Sequence, residues 1–186
     1  MTATMERTTI TERLVPSPPV RLSLVRAGSV PGLLDGAWWP RSRDLHRELP
    51  ALTDALDTAW GRVTRVTVNP THWPVIPRKV RVTGHTVHVG WFADEQDRNK
   101  LIVLSYTTGR MDLLVIPPET DAAAAARLMS AAAAPGGLLT ASRLMADDEV
   151  REGTETRIRE EDWETDGGAG SAGRSPVELL DSSRGR

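Results

Sequence analysis

The chain has no cysteine among its 186 residues. This excludes disulfide staples, iron–sulfur ligation, zinc held by thiolates and a cysteine nucleophile. One tyrosine and one phenylalanine accompany six tryptophans, so aromatic packing falls almost wholly to indoles. No apolar run approaches the ~20 residues that cross a bilayer. Glu6, Arg7, Glu12 and Arg13 also break up any signal-peptide core. These absences read as a cytoplasmic protein with no membrane partner. A formal charge of -2 gives no overall pull towards nucleic acid or anionic lipid.

That small total hides an uneven distribution. Residues 1–140 carry 16 Lys/Arg against 13 Asp/Glu, whereas residues 141–186 carry 7 against 12. The acidic portion is poor in apolar side chains and contains the run Gly167-Gly168-Ala169-Gly170-Ser171, which cannot repay its ordering entropy through burial. Residues 149–186 are therefore expected to form a disordered acidic tail. Residues 1–19, with Pro16, Pro18 and Pro19, are expected to be a flexible lead. A single domain over 20–148 remains.

Within it, alternating or β-branched stretches at 20–26, 62–69, 78–83, 86–92, 100–106 and 111–116 read as strands. Leu45, Leu49, Leu52, Leu56 and Trp60 recur at helical spacing behind Asp44, a suitable cap, and ahead of Gly61, a suitable stop. Pro50 interrupts this pattern. It implies a kink, or more cheaply a short turn at 42–48 followed by a main helix from Pro50. The alanine-rich block 122–134 reads as a second helix opened by Pro117-Pro118, and a short helix fits 140–148. The gaps between the later strands are too short for helical crossovers. The expected fold is α+β: a curved, mainly antiparallel sheet of five to six strands with helices packed on one face, or else a half-closed barrel.

Chemistry-bearing residues are sparse. The four histidines make no metal-binding pair, and no nucleophile elbow or cofactor motif occurs, so neither a metal nor a cofactor is expected. The densest polar–aromatic segment is 32–44, with Asp35, Trp38, Trp39, Arg41 and Arg43 just before the first helix. One reading is structural: the indoles plug the core while Arg41 or Arg43 pairs with Asp35 or Asp44. Another is an anion cradle of helix-start N–H groups, Arg41 and Arg43, lined by Trp38 and Trp39. A third is a partner-binding surface. His72, in a loop, and Asp35 are the candidate proton carriers for an enzyme built there. His85 falls in a predicted turn and reads as solvated. Arg62, Arg65, Arg78, Lys79 and Arg81 lie on neighbouring strands, but no recognition helix or stacking platform argues for nucleic acid.

The segments GLLDGAWWPRSRD (32–44), ELPAL (48–52), WGRVTRVTVN (60–69), VHVGWF (87–92) and LSYTTGRMDLLVIPPET (104–120) together make the chain resemble a family of small actinobacterial proteins known only as a domain of unknown function. The resemblance spans roughly 20–135. It implies an actinobacterial, cytoplasmic origin and supplies no activity, partner or catalytic residue. The function expected is that of a small non-catalytic binding or interaction domain, with a protein partner or a homodimer left open. The alternative is a small enzyme or anionic-ligand receptor using the Trp/Arg site at the helix start.

Overall fold

The computed structural model describes residues 19–92 and 97–167. The predicted lead over 1–19 and the end of the predicted tail, from 168, lie outside the described residues apart from Pro19. The elements are β1 Leu22–Leu24, β2 Gly36–Trp38, α1 Leu45–Ala59, β3 Val63–Val68, a 3-10 turn at Pro70–His72, β4 Lys79–Val82, β5 His85–Trp91, β6 Lys100–Ser105, β7 Gly109–Val115, α2 Ala122–Ala132 and α3 Ala141–Gly167.

Helix α1 starts at Leu45 because the Asp44 carboxylate accepts from the His46 N–H, 2.9 Å away. It ends where Gly61, at φ +152°, donates to the Leu56 carbonyl. Between these points it runs unbroken through Pro50, so the expected handover from a short turn does not occur. The carbonyl that Pro50 leaves without a donor belongs to His46, an exposed residue near the helix start.

The seven strands form one sheet in the order β1-β2-β7-β6-β3-β5-β4. Four pairings are antiparallel, while β2–β7 and β3–β5 are parallel. This corrects the expected curved, mainly antiparallel sheet of five to six strands. The sheet is mixed and open, with β1 and β4 as free edges, and it neither curves round nor closes. The β4–β5 hairpin explains one parallel pair. The connection through Pro70–His72 carries the chain past the neighbouring position, so β4 takes the outer edge and β5 returns between β4 and β3. The seventh strand is β2, three residues held between β1 and β7.

The helices do not share a face. Leu45, Leu49, Leu52 and Leu56 of α1 pack with Val66, Val80, Val87, Val103 and Leu113 on one side. Ala125, Leu128 and Ala132 of α2, joined by Ala141 and Leu144 at the start of α3, pack with Ala37, Leu114 and Ile116 on the other. Alternation along β7 makes this visible: Met111, Leu113 and Val115 belong to the first core, Leu114 and Ile116 to the second. The sheet is thus covered on both faces near β2 and β7.

The tight turns also differ in detail. Val82 pairs with His85, so the two-residue turn is Thr83-Gly84, with Gly84 at φ +75°. His85 is not a solvated turn residue: its Nε2 lies 2.7 Å from the Val63 carbonyl and its side chain is nearly covered. Helix α2 starts at Ala122 under an Asp121 cap rather than at the two prolines. From Asp147 onward, α3 is a helix that carries an Arg151–Glu155 ion pair and exposes Val150, Ile158 and Trp163. Residues 149–167, where the composition offers little to bury, are thus helical, and those of 149–161 are exposed. Among the described residues no helix is long and apolar enough to cross a membrane.

Candidate functional site

The segment before α1 is built from side chains that satisfy one another. Trp38 is 1% exposed and stacks on Trp73, with centroids 5.6 Å apart and planes 17° from parallel. Trp39 donates from Nε1 to the Pro117 carbonyl at 3.2 Å, and the Arg21 guanidinium lies 3.5 Å over its ring. Arg21 also donates to the carbonyls of Trp39 and Pro40. Partial burial, with Arg41 nearby, lowers its pKa from the ordinary arginine value.

Two carboxylates already hold the helix start. Glu48 accepts from the Arg41 N–H at 3.0 Å and the Ser42 hydroxyl at 2.7 Å, and Asp44 caps the helix. Asp35 lies elsewhere. It pairs with Asp112 across β2 and β7, donating its N–H to the Asp112 carbonyl and accepting the Asp112 N–H on its carboxylate, each at 2.8 Å.

Arg43 does approach His72. Its Nη1 donates to the His72 carbonyl at 3.0 Å, and its Nη2 pairs with Glu119 rather than with Asp35 or Asp44. The buried His72 ring meets the Asn99 amide oxygen through Nε2 at 2.8 Å, so Nε2 carries the proton. Burial pushes the His72 pKa down, with Arg43 and Arg98 adding to the effect against the Asn99 hydrogen bond and Glu119. The imidazole is therefore neutral at neutral pH. The structure thus brings His72 and Arg43 together, puts Arg41 with Glu48, and leaves Asp35 on the sheet. Among the described residues, no group of three or more His, Asp or Glu side chains is arranged to hold a metal.

A second region emerges from strand order. On the face opposite α1, no helix within residues 19–146 packs on strands β6, β3, β5 and β4. Register places Lys79 opposite His88, His88 opposite Arg65, Arg65 opposite Leu104, and Leu104 opposite Arg110. Five adjacent strands thus contribute one row of side chains. Arg65, Lys79, Arg81 and His88 are exposed, and their side chains have no hydrogen-bond or ion-pair partner among the described residues. Asp112 is the one carboxylate on these five strands. It accepts both Nε and Nη2 of Arg110, at 2.6 and 2.9 Å, and the Lys100 ammonium at 3.0 Å. Burial alone would raise the Asp112 pKa, but these hydrogen bonds and charges outweigh it and hold the carboxyl below its usual range.

The register shifts between Val63 and Arg65, leaving Thr64 as the extra residue of a bulge-like irregularity just before the Arg65–Leu104 pair. Bulges re-aim side chains and recur beside functional sites. Around it lies a cavity of about 640 Å³ lined by Arg65, His88, Leu104, Tyr106 and Arg110, with Tyr106 94% exposed. Strand assignment alone identifies Arg65, Lys79 and Arg81 as neighbours. Arg110 and Tyr106 join them only through the β3–β6–β7 pairing order, which the sequence does not display.

Residues 21–132 match the family of unknown function DUF5994. No curated protein and no solved structure matches the chain.

Proposed function

The chain belongs to DUF5994, a family that brings no activity with it, and we propose that it is a non-catalytic binding domain whose working surface is the helix-free sheet face and whose partner is a short acidic polypeptide segment. One observation carries this reading: Lys79, Arg81 and Arg65 stand on that face with no carboxylate partner among the described residues. Solvated charges of one sign held on neighbouring strands repel. An incoming anionic segment relieves that cost.

Size decides the kind of partner. Strands ~4.8 Å apart and about 3.3 Å per residue give a face of roughly 19 by 17 Å, near 300 Å², well short of the ~800 Å² per partner that a stable folded complex buries. An extended segment of about six residues spans it. The central side chains are Arg65, Thr67, Ile102 and Leu104 rather than stacked aromatics, which favours peptide over single-stranded nucleic acid.

The alternative, an enzyme or anion receptor at the start of α1, has weaker support. Asp44 already takes the His46 N–H and Glu48 the Arg41 N–H and Ser42 hydroxyl, so two carboxylates stand where an incoming anion would bind.

Fluorescence anisotropy of a labelled hexaglutamate against the full chain at low salt tests the proposal. Micromolar binding is expected, weakened about tenfold in the Lys79→Ala/Arg81→Ala variant and falling with added salt. Binding that ignores both changes, absence of binding at millimolar protein, or equal affinity for an oligothymidylate would each overturn it.

A further inference from the structure

We infer that the bulged corner of this face, where Arg65, His88, Tyr106 and Arg110 surround Leu104, is a pocket for a phosphomonoester dianion carried on the bound acidic segment. The inference rests on the binding role proposed for the face and goes one step further, by naming the group that the cavity reads.

Donor arithmetic favours phosphate over carboxylate. The Arg65 guanidinium N–H groups have no acceptor among the described residues. Arg110 spends Nε and Nη2 on Asp112 and keeps Nη1 free. The His88 ring and the Tyr106 hydroxyl add further polar edges at the same cavity. A carboxylate offers only two oxygens, which a single bidentate guanidinium can engage. A phosphomonoester offers three terminal oxygens and about two charges, enough to accept from two guanidinium groups at once.

Spacing agrees with this. Arg65 and Arg110 sit two strands apart, about 9.6 Å between backbones, with Leu104 between them in register. Two arginine side chains leaning inward can close on a tetrahedral group over that leucine. The apolar floor keeps water from one side of the contact, which strengthens it. The register shift next to Arg65, between Val63 and Arg65, loosens the regular ladder at this corner of the face.

Three labelled hexapeptides, acidic throughout and differing only in a central Ser, Glu or phosphoserine, would be titrated against the full chain. The phosphoserine peptide is expected to bind at least tenfold more tightly than the Glu peptide. Arg65→Lys, which keeps the charge and loses the bidentate fork, should bring the ratio of phosphoserine-peptide to Glu-peptide affinity down to about one, whatever it does to Glu-peptide affinity itself. Lys79→Ala should weaken all three peptides alike.

Equal affinity for the Glu and phosphoserine peptides would overturn the pocket while the acidic-segment reading stands. If none of the three binds, both fall. Inorganic phosphate identifies the source of the dianion: displacement of the phosphopeptide only at millimolar concentration assigns the pocket to a peptide-borne group, and displacement at micromolar concentration assigns it to the free ion.

Discussion

Replacing Trp38 with alanine separates an indole that holds the fold from one that lines a site. Trp38 is 1% exposed, at the centre of the first core, and stacks on Trp73 at 5.6 Å. Truncating a buried tryptophan costs about 3–5 kcal/mol, through lost transfer energy and the cavity left behind. Loss of the stack accounts for about 0.5–1.5 kcal/mol of further coupling. In a folded unit of this size each kcal/mol is worth about 4 °C, so Trp38→Ala should melt roughly 12–20 °C lower. Circular dichroism melts and urea titrations measure this, and the urea slope must stay unchanged for the comparison to hold. Trp38→Phe keeps a ring against Trp73 and should lose only about 1–2 kcal/mol, which gives a usable number even if the alanine variant fails to fold. A double-mutant cycle with Trp73→Ala should return a coupling of at least about 0.5 kcal/mol. A Trp38→Ala loss under about 1 kcal/mol would refute the packing account and return Trp38 to a ligand-lining role.

Other perturbations probe other parts. Gly36→Ala places a Cβ 2.1 Å from the Ser23 carbonyl oxygen at φ +152°; it should cost more than about 2 kcal/mol and loosen β1, visible as faster amide exchange at Leu22–Leu24. Burial would raise the Asp97 carboxyl, but hydrogen bonds from the Ser142 hydroxyl and N–H and the Asn99 N–H, with the Lys100 charge, bring it below the usual range. Its folded pKa is depressed, so its stabilising contribution is complete above the unfolded value of about 3.9 and is lost as pH falls through the lower folded value. Asp97→Asn should accordingly flatten the acid limb of a Tm-against-pH curve between about pH 4 and 2; an unchanged limb would contradict this. Asp112→Asn removes the one negative charge on these five strands, held by Arg110 and Lys100, and should tighten hexaglutamate binding roughly twofold to fivefold at low salt, as read by anisotropy; weaker binding would contradict the charge argument.

Local signals were legible in the sequence, and long-range ones were not. The leucine spacing, Asp44 and Gly61 define α1 because helix periodicity and caps act within a few residues. Six of the strands announce themselves by alternation. Strand β2 does not: Gly36–Trp38 is three residues long and exists only because β1 and β7 flank it, the latter 77 residues further on. The two-sided arrangement left one trace in β7, where Leu113, Leu114, Val115 and Ile116 are consecutively apolar. A strand end buried on both faces needs a layer on each side. Pro50 misleads because its cost falls on a single solvated carbonyl near the helix start, which the packing of four leucines outweighs. At the candidate site, the Trp/Arg segment stands out by composition, yet its atoms are spent on neighbours.

Helix length explains why the helix-free face lies where it does. Seven strands at ~4.8 Å span about 29 Å between the edge axes, whereas a helix with its side chains covers a band of about 10–12 Å. On the first face, α1 is supplemented by Trp73 and Ile76 from the β3–β4 connection, and the core there reaches from Trp38 to Val82. On the second face, α2 has 11 residues and packs with β2 and β7, helped by Ala141 and Leu144. The strands beyond it must either present apolar residues to water or change composition. They change composition: Arg65, Thr86, His88, Lys79 and Arg81 take the outward positions, with Ile102 and Leu104 half-covered between them. Solubility alone requires polar side chains at those positions, but it is served as well by glutamate as by arginine, and mixed signs would avoid the repulsion. A row biased to one sign, with its lone carboxylate already engaged, is therefore better explained by what it meets than by the need to stay in solution.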